Sequence, residues 1–205
     1  MLVFGYDPGG RNANGVALID DSAGPSPQIW TNTVDSVDEV LQWLMAQAGS
    51  RPLDGAGIDT FLSWATSECG WRPMDAWLRQ QYHQVIHSVF SSNSAAGSMS
   101  IQGMALAMRL RTMWPQVLLN ETHPKVLYFA MTGQQYVFGQ PMINWLTAQL
   151  NPIAGAAVAN DHEWDALISA WVTLAGMKGL LSKDLMAQFQ IPLLLPAGSV
   201  NYYWP

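Results

Sequence analysis

The stretch MLVFGYDPGGRNANGVALID (Met1–Asp20) decides the fold. Its first apolar run, Leu2 to Tyr6, ends in Asp7 and breaks at once into Pro8, Gly9 and Gly10. A second apolar run, Gly15 to Asp20, follows the short turn-rich loop. Two strand-like runs joined this closely predict an antiparallel hairpin. Asp7 then has two readings. It is turn chemistry, since Asp, Pro and Gly are the usual turn residues, or it is a carboxylate held at a strand tip beside a bound ion. One aspartate does not decide between them, so the question passes to the acids further along.

Outward from the hairpin, SPQIWTNTVD holds a third strand near Gln28 to Thr33. Val37, Val40, Leu41 and Leu44 then fall on one helical face, with Ser36 as N-cap, Glu39 completing a capping box and Gly49 as C-cap. GAGID predicts a strand ending near Asp59, and RPMDAWLRQQY a helix with Pro73 in its first turn. SSNSAAGSMS (Ser91–Ser100) is small and polar, and reads as a mobile loop within the domain. IQGMALAMRLRTMW reads as a helix, QVLLNETHP as a strand, and KVLYFAMTG and PMINWLTAQL as helices. DHEWDALISAWVTLAGMKG carries the strongest helical pattern, and the tail IPLLLPAGSVNYYWP reads as irregular or a short edge strand. The order describes one α/β domain over residues 1–205, with a mixed sheet whose opening strands are antiparallel.

The length suits a single domain with a sizeable core. Ten Trp and eleven Met read mainly as core filler, with an exposed partner-binding patch as the alternative. Cys69 is the lone cysteine, which precludes an intrachain disulfide and fits a reducing compartment. No apolar run is long enough to span a bilayer, and the N-terminus enters a strand directly, so a cytoplasmic protein with no membrane partner is expected. Nine Lys and Arg against fifteen Asp and Glu give a formal charge of −6, whereas nucleic-acid binders are usually basic. Shared metal ions weaken that objection: two divalent cations would bring the nominal charge to about −2.

The acids fall in a pattern. Asp7, Asp59 and Glu121 each end an apolar strand, and Asp161 and Asp165 lie four apart at the start of the last long helix. Each alone has a structural reading as turn residue, helix-dipole partner or, for Asp161, N-cap. Together they converge in one crevice if their strands are neighbours. Clustered carboxylates repel and call for counter-ions. Oxygen-only ligands select hard cations such as Mg²⁺ or Mn²⁺. Two such ions about 3.5–4 Å apart can activate water and stabilise the leaving oxygen of a phosphodiester.

These motifs, in this order, resemble the RNase-H-like superfamily, and within it a group of predicted nucleases related to Holliday-junction resolvases. GYDPGG…GVALI is similar to the group's first hairpin, and GIDTFLSW with RPMDAWLR to its strand-four motif, whose Arg-x-x-Asp-x-x-x-Arg helix supplies Arg72, Asp75 and Arg79. VFSSNSAAGSM resembles its small-residue loop, and ETHPKVLYFAMTG its Glu-x-x-Pro motif (Glu121, Pro124). DHEWDALISAW resembles its closing Asp-x-x-x-Asp-Ala-Leu helix, and AGSVNYYWP its C-terminal segment. The resemblance implies a five-stranded mixed sheet, first three strands antiparallel, flanked by helices. It implies two Mg²⁺ (or Mn²⁺) ions on Asp7, Asp59 and Asp165, with Glu121 and Asp161 as helpers. It also implies nucleic acid as partner, and allows a homodimer, since junction-cutting relatives are often dimers.

Other residues carry weaker signals. His123, two after Glu121, shares its face if the strand continues, and then assists proton transfer or contacts phosphate. Arg11, Arg72 and Arg79 are candidate phosphate contacts, with a solvated loop for Arg11 and an internal ion pair with Asp75 for the other two as alternatives. His83 and His87 are four apart but lack a third ligand, and His162 reads as exposed. Trp64, Trp71, Trp77 and Trp114 stack on bases or pack in the core. Two functions therefore stand: a two-metal carboxylate nuclease acting on DNA or RNA, including branched DNA, or a catalytically silent module of the same fold, such as a phage or replication accessory protein. The acidic charge and the Trp and Met content favour the second.

Overall fold

Leu2–Asp7 forms β1 and pairs antiparallel with β2 (Asn14–Asp20), Asp7 opposite Gly15; β2 pairs antiparallel with β3 (Gln28–Val34). A computed structural model supplies this geometry for residues 1–22, 24, 26–66, 70–92, 97–151, 158–189 and 192–205. Cys69 and residues 93–96 of the small-residue loop lie outside that set. Beyond β3 the chain forms α1 (Val37–Ala48), then β4 (Gly55–Ile58), which lies parallel to β1 on its other side. After α2 (Pro73–Gln81) and α3 (Gly97–Met113), β5 (Leu118–Glu121) adds parallel to β4. The strand order is β3-β2-β1-β4-β5, a mixed sheet with three antiparallel opening strands. Three helices complete the main elements: α4 (Pro124–Thr132), α5 (Gln140–Leu150) and α6 (Asp161–Met177).

Every residue of β1, β2 and β4 is buried because helices cover both faces. Alternation along β1 sorts the faces. Leu2, Phe4 and Tyr6 join Val40 and Leu44 of α1 and Leu106 and Leu110 of α3, while Val3 joins α6. The edge strand β3 is only half-buried. Among the described residues, no helix is long and apolar enough to cross a membrane.

Glycines set how close α6 comes. A Cβ on Gly5 would fall 1.9 Å from the Ala166 carbonyl oxygen, and one on Gly57 would fall 2.1 Å from that of Ser169. With bare backbone at those positions, α6 lies directly on β1 and β4. His162 sits over Gly15 and Met177 over Gly55, so the helix begins at the carboxyl end of β1 and runs toward the amino end of β4.

Local signals account for most helix ends. Ser36 caps α1 by accepting from the Glu39 N–H, but Glu39 returns its carboxylate to the Asp35 N–H, one residue before the cap. Asn160, not Asp161, caps α6, its Oδ1 accepting from the Glu163 N–H at 2.9 Å. His83–Ser88 is a kinked 3-10 segment, neither α-helix nor strand. In the tail, Tyr203–Trp204 pairs with Lys183–Asp184, Leu193–Leu194 pairs with Trp64–Ala65, and Asn201 bridges to Asn120 at the edge of β5.

Candidate metal centre

The register that aligns Tyr6 with Ile58, and Ile58 with Glu121, brings three parallel strands to an end at one level. The Asp59 N–H donates to the Tyr6 carbonyl at 2.9 Å, so Asp59 leaves β4 beside Asp7. Asp165 comes down from the second turn of α6. One carboxylate oxygen from each of Asp7, Asp59 and Asp165 lies within 4.8 Å of the other two. Asp7 and Asp165 are only 8% and 3% exposed.

Burial pushes the Asp7 carboxyl up to about 7, partly offset by the hydrogen bond from His162 and reinforced by the charge of Asp59. Burial pushes Asp165 well above the usual carboxylate range, and Asp7 and Asp59 push it further. His162 Nδ1 lies 2.7 Å from Asp7 Oδ2, and that hydrogen bond raises the imidazole. The Tyr136 hydroxyl donates to Asp165 Oδ2 at 3.3 Å, while Asp165 Oδ1 is buried with no hydrogen-bond partner among the described residues. His123 Nδ1 is 3.7 Å from Asp59 Oδ1. A buried carboxylate oxygen without a donor is rare and calls for an explanation. Here a cation fits: three oxygen donors, an orphaned lone pair and raised carboxyls match a hard divalent ion.

Asp7 and Asp59 open into a cleft of about 350 Å³ whose walls include Thr60, Phe90, Met99, His123, Lys125 and Tyr202, and Asp165 is buried beside them. Phe90 is half exposed there, at 51%. Lys125, in the first turn of α4, is exposed, and its Nζ lies 5.0 Å over the Tyr136 ring. A larger hollow of about 560 Å³ lies by the tail, lined by Phe189, Leu193 and Leu195, and shares no residue with the cleft.

No protein-family model and no curated protein matches the chain. Solved structures are similar, among them two of one protein. The Thermus thermophilus RuvC structure is 13% identical, covering 87% of this chain and 97% of that one at a TM-score of 0.49. T. thermophilus RuvC in complex with Holliday junction substrate is 12% identical, covering 87% and 96% at a TM-score of 0.51. The second, with the strand order above, decides the architecture. The chain has an RNase-H-like fold.

Within this RNase-H-like fold the other sequence-selected residues take different places. Glu121 is not in the acidic group. Arg72 Nη2 donates to its Oε1 at 2.5 Å and Nη1 to its Oε2 at 2.8 Å, and the Leu62 N–H donates to Oε2 at 2.8 Å. The strand ends at Glu121 and the chain turns into α4 at Pro124; Glu121 is taken up by Arg72, His123 lies beside Asp59, and both line the cleft. Burial raises the Glu121 carboxyl, with Arg72 opposing. Arg72 is fully buried and also holds Asp75 through Nε and Nη2, at 2.8 and 2.7 Å. The internal ion pair, one of the two readings of its sequence position, takes up its guanidinium. Arg79 is likewise occupied, donating to the carbonyls of Ile86 and Val89 and lying over Trp71. Arg11 is an exposed loop residue. Asp161 is half-buried and outside the group of three.

His83 and His87 are exposed, and neither belongs to a metal-ligating group among the described residues. The tryptophans pack: Trp77 meets Tyr82 edge-on, and Trp64 and Trp114 lie against the core under α1 and α3. Sequence reading missed three residues. His162 is half-buried on Asp7, where it was expected in solvent; its position one turn before Asp165 was the available signal. Lys125 directly follows the Glu-x-x-Pro motif. Tyr136 carried no signal, because a connection between helices places it.

Proposed function

We propose that this chain is a divalent-metal-dependent nuclease that hydrolyses phosphodiester bonds at the cleft of Asp7, Asp59 and Asp165. The convergence of those three carboxylates carries the reading, together with the Asp165 oxygen that is buried without a hydrogen-bond partner among the described residues. Mg²⁺ or Mn²⁺, two ions in the full site, would supply Lewis-acid stabilisation and a water of lowered pKa. The chain's own residues do the rest. Asp7, Asp59 and Asp165 hold the cations, and His162 fixes the Asp7 carboxylate from behind. Lys125 presents positive charge to a phosphate oxygen at the cleft mouth, and His123 stands beside Asp59 to contact phosphate or hold a proton. Glu121 and Arg72 brace the floor through Leu62 and Ser63.

Branched DNA is the first substrate to try, since a structure of this fold is known with a Holliday junction. The test is a panel of single-stranded, duplex and four-way-junction DNA, with RNA, incubated with Mg²⁺ or Mn²⁺. Divalent-dependent cleavage that disappears in Asp7→Asn and Asp165→Asn supports the reading. Cleavage unchanged in Asp7→Asn, or indifferent to chelator, defeats it.

One observation favours a second reading, a silent binding module. Arg72 and Arg79 are committed internally, which leaves Lys125 as the sole Lys or Arg lining the cleft among the described residues. Calorimetry without Mg²⁺ or Mn²⁺ binding, together with an inactive panel, selects it.

A further inference from the structure

Asp165 has one oxygen bonded and one bare, and the donor to the bonded oxygen is the Tyr136 hydroxyl. Tyr136 stands in the connection between α4 and α5. Its ring packs edge-on against Trp164 at 5.5 Å, which fixes it from the α6 side, and carries the Lys125 ammonium at 5.0 Å on its face. One side chain therefore touches both a cation-holding carboxylate and the exposed cation at the cleft mouth. We propose that Tyr136 is a positioning residue, its hydroxyl orienting Asp165 for the metal and its ring parking Lys125 for the phosphate.

The two contacts are separable. Among the described residues the hydroxyl is the only donor to that carboxylate, so the setting of the carboxylate depends on it. The ring acts through the attraction of its face for an ammonium, which Phe preserves and Leu does not. This assignment rests on the metal-site reading above.

The experiment compares Tyr136→Phe and Tyr136→Leu with the unaltered chain. Mn²⁺ alone is titrated by calorimetry, and cleavage kinetics are measured on the substrate the panel identifies. Tyr136→Phe should weaken Mn²⁺ binding about tenfold, as outer partners of metal ligands do, with KM at saturating Mn²⁺ unchanged. Tyr136→Leu should show the same Mn²⁺ loss and, in addition, a raised KM. Thermal melting without metal should be similar for Tyr136→Phe, since its ring and packing remain. Unaltered Mn²⁺ affinity in Tyr136→Phe overturns the hydroxyl's role, and equal KM values for the Phe and Leu variants overturn the ring's. If the unaltered chain binds no Mn²⁺, the metal-site reading itself falls and this inference falls with it.

Discussion

Gly5 lies beneath the carbonyl of Ala166 with no room for a side chain: a Cβ there would stand 1.9 Å from the oxygen and 2.8 Å from the Ala170 nitrogen. Asp165 is the neighbour of Ala166, so the contact that seats α6 on β1 also sets the height of one carboxylate above another. Both obstructing atoms are helix backbone and cannot rotate away. Gly5→Ala should lift α6, destabilise the fold by about 1–3 kcal/mol as overpacking does, and weaken Mn²⁺ binding more than its stability loss implies. Urea melts and calorimetry read the two effects. A variant with unchanged metal affinity would mean that the helix height does not govern the site.

The site also makes stability depend on pH. Asp7 is raised from 3.8 to about 7, and Asp165 is raised as well. Between those values the metal-free folded state holds more protons than the unfolded chain. Unfolding free energy then falls as pH rises. His162, raised above 6.5 by Asp7, adds to the loss above that value. Asp20 works oppositely: the hydrogen bond from Arg51 lowers it, so its contribution is present above 3.8 and lost as pH falls below. In chelator, the urea midpoint should be lower at pH 8 than at pH 5, and Mn²⁺ should restore it at pH 8. A midpoint that climbs from pH 5 to pH 8 without metal contradicts this.

How much of this was readable beforehand follows from the range of the interactions. The hairpin, β4 and α6 announced themselves because apolar period and turn chemistry are local. Asp7, Asp59 and Asp165 stood out because strand ends and a helix start are local features too, and their spacing of at most 4.8 Å is a finding of the fold. Glu121 looked the same in one dimension. Whether a strand-end acid is free for a cation or taken up by a buried arginine depends on Arg72, 49 residues away, and no local pattern carries that. His162 shows the same limit: its exposure was misjudged because Asp7 covers it from the far end of the chain.

Arg72 therefore offers a test of the floor. Removing the guanidinium strands Glu121 and Asp75 as buried charges, and breaking such a pair is typically destabilising by about 3–5 kcal/mol. Arg72→Met should lower the melting temperature sharply, and adding Glu121→Gln should recover part of the loss. No recovery in the double variant would show that Arg72 matters through packing rather than charge.

Phe90 should affect substrate and not metal. It is 51% exposed on the cleft wall and is not one of the three clustered acids' hydrogen-bond partners. Stacking on an aromatic ring is worth about 1–3 kcal/mol per base. Phe90→Ala should raise KM for a cleaved nucleic acid roughly tenfold or more on that scale, with Mn²⁺ affinity and melting temperature unchanged. A variant with normal KM would leave the phenyl ring without a part in binding.

Asp7 and His162 meet across 155 positions of chain. Contacts between remote segments slow the search for the native state, and closing so long a loop is entropically unfavourable. The opening hairpin can form early, while its aspartate is still fully hydrated. Asp165 joins Asp7 and Asp59 only when the last long helix docks, so refolding meets the full repulsion of the three acids late. Manganese in the refolding buffer should then hasten that final docking and leave hairpin formation untouched.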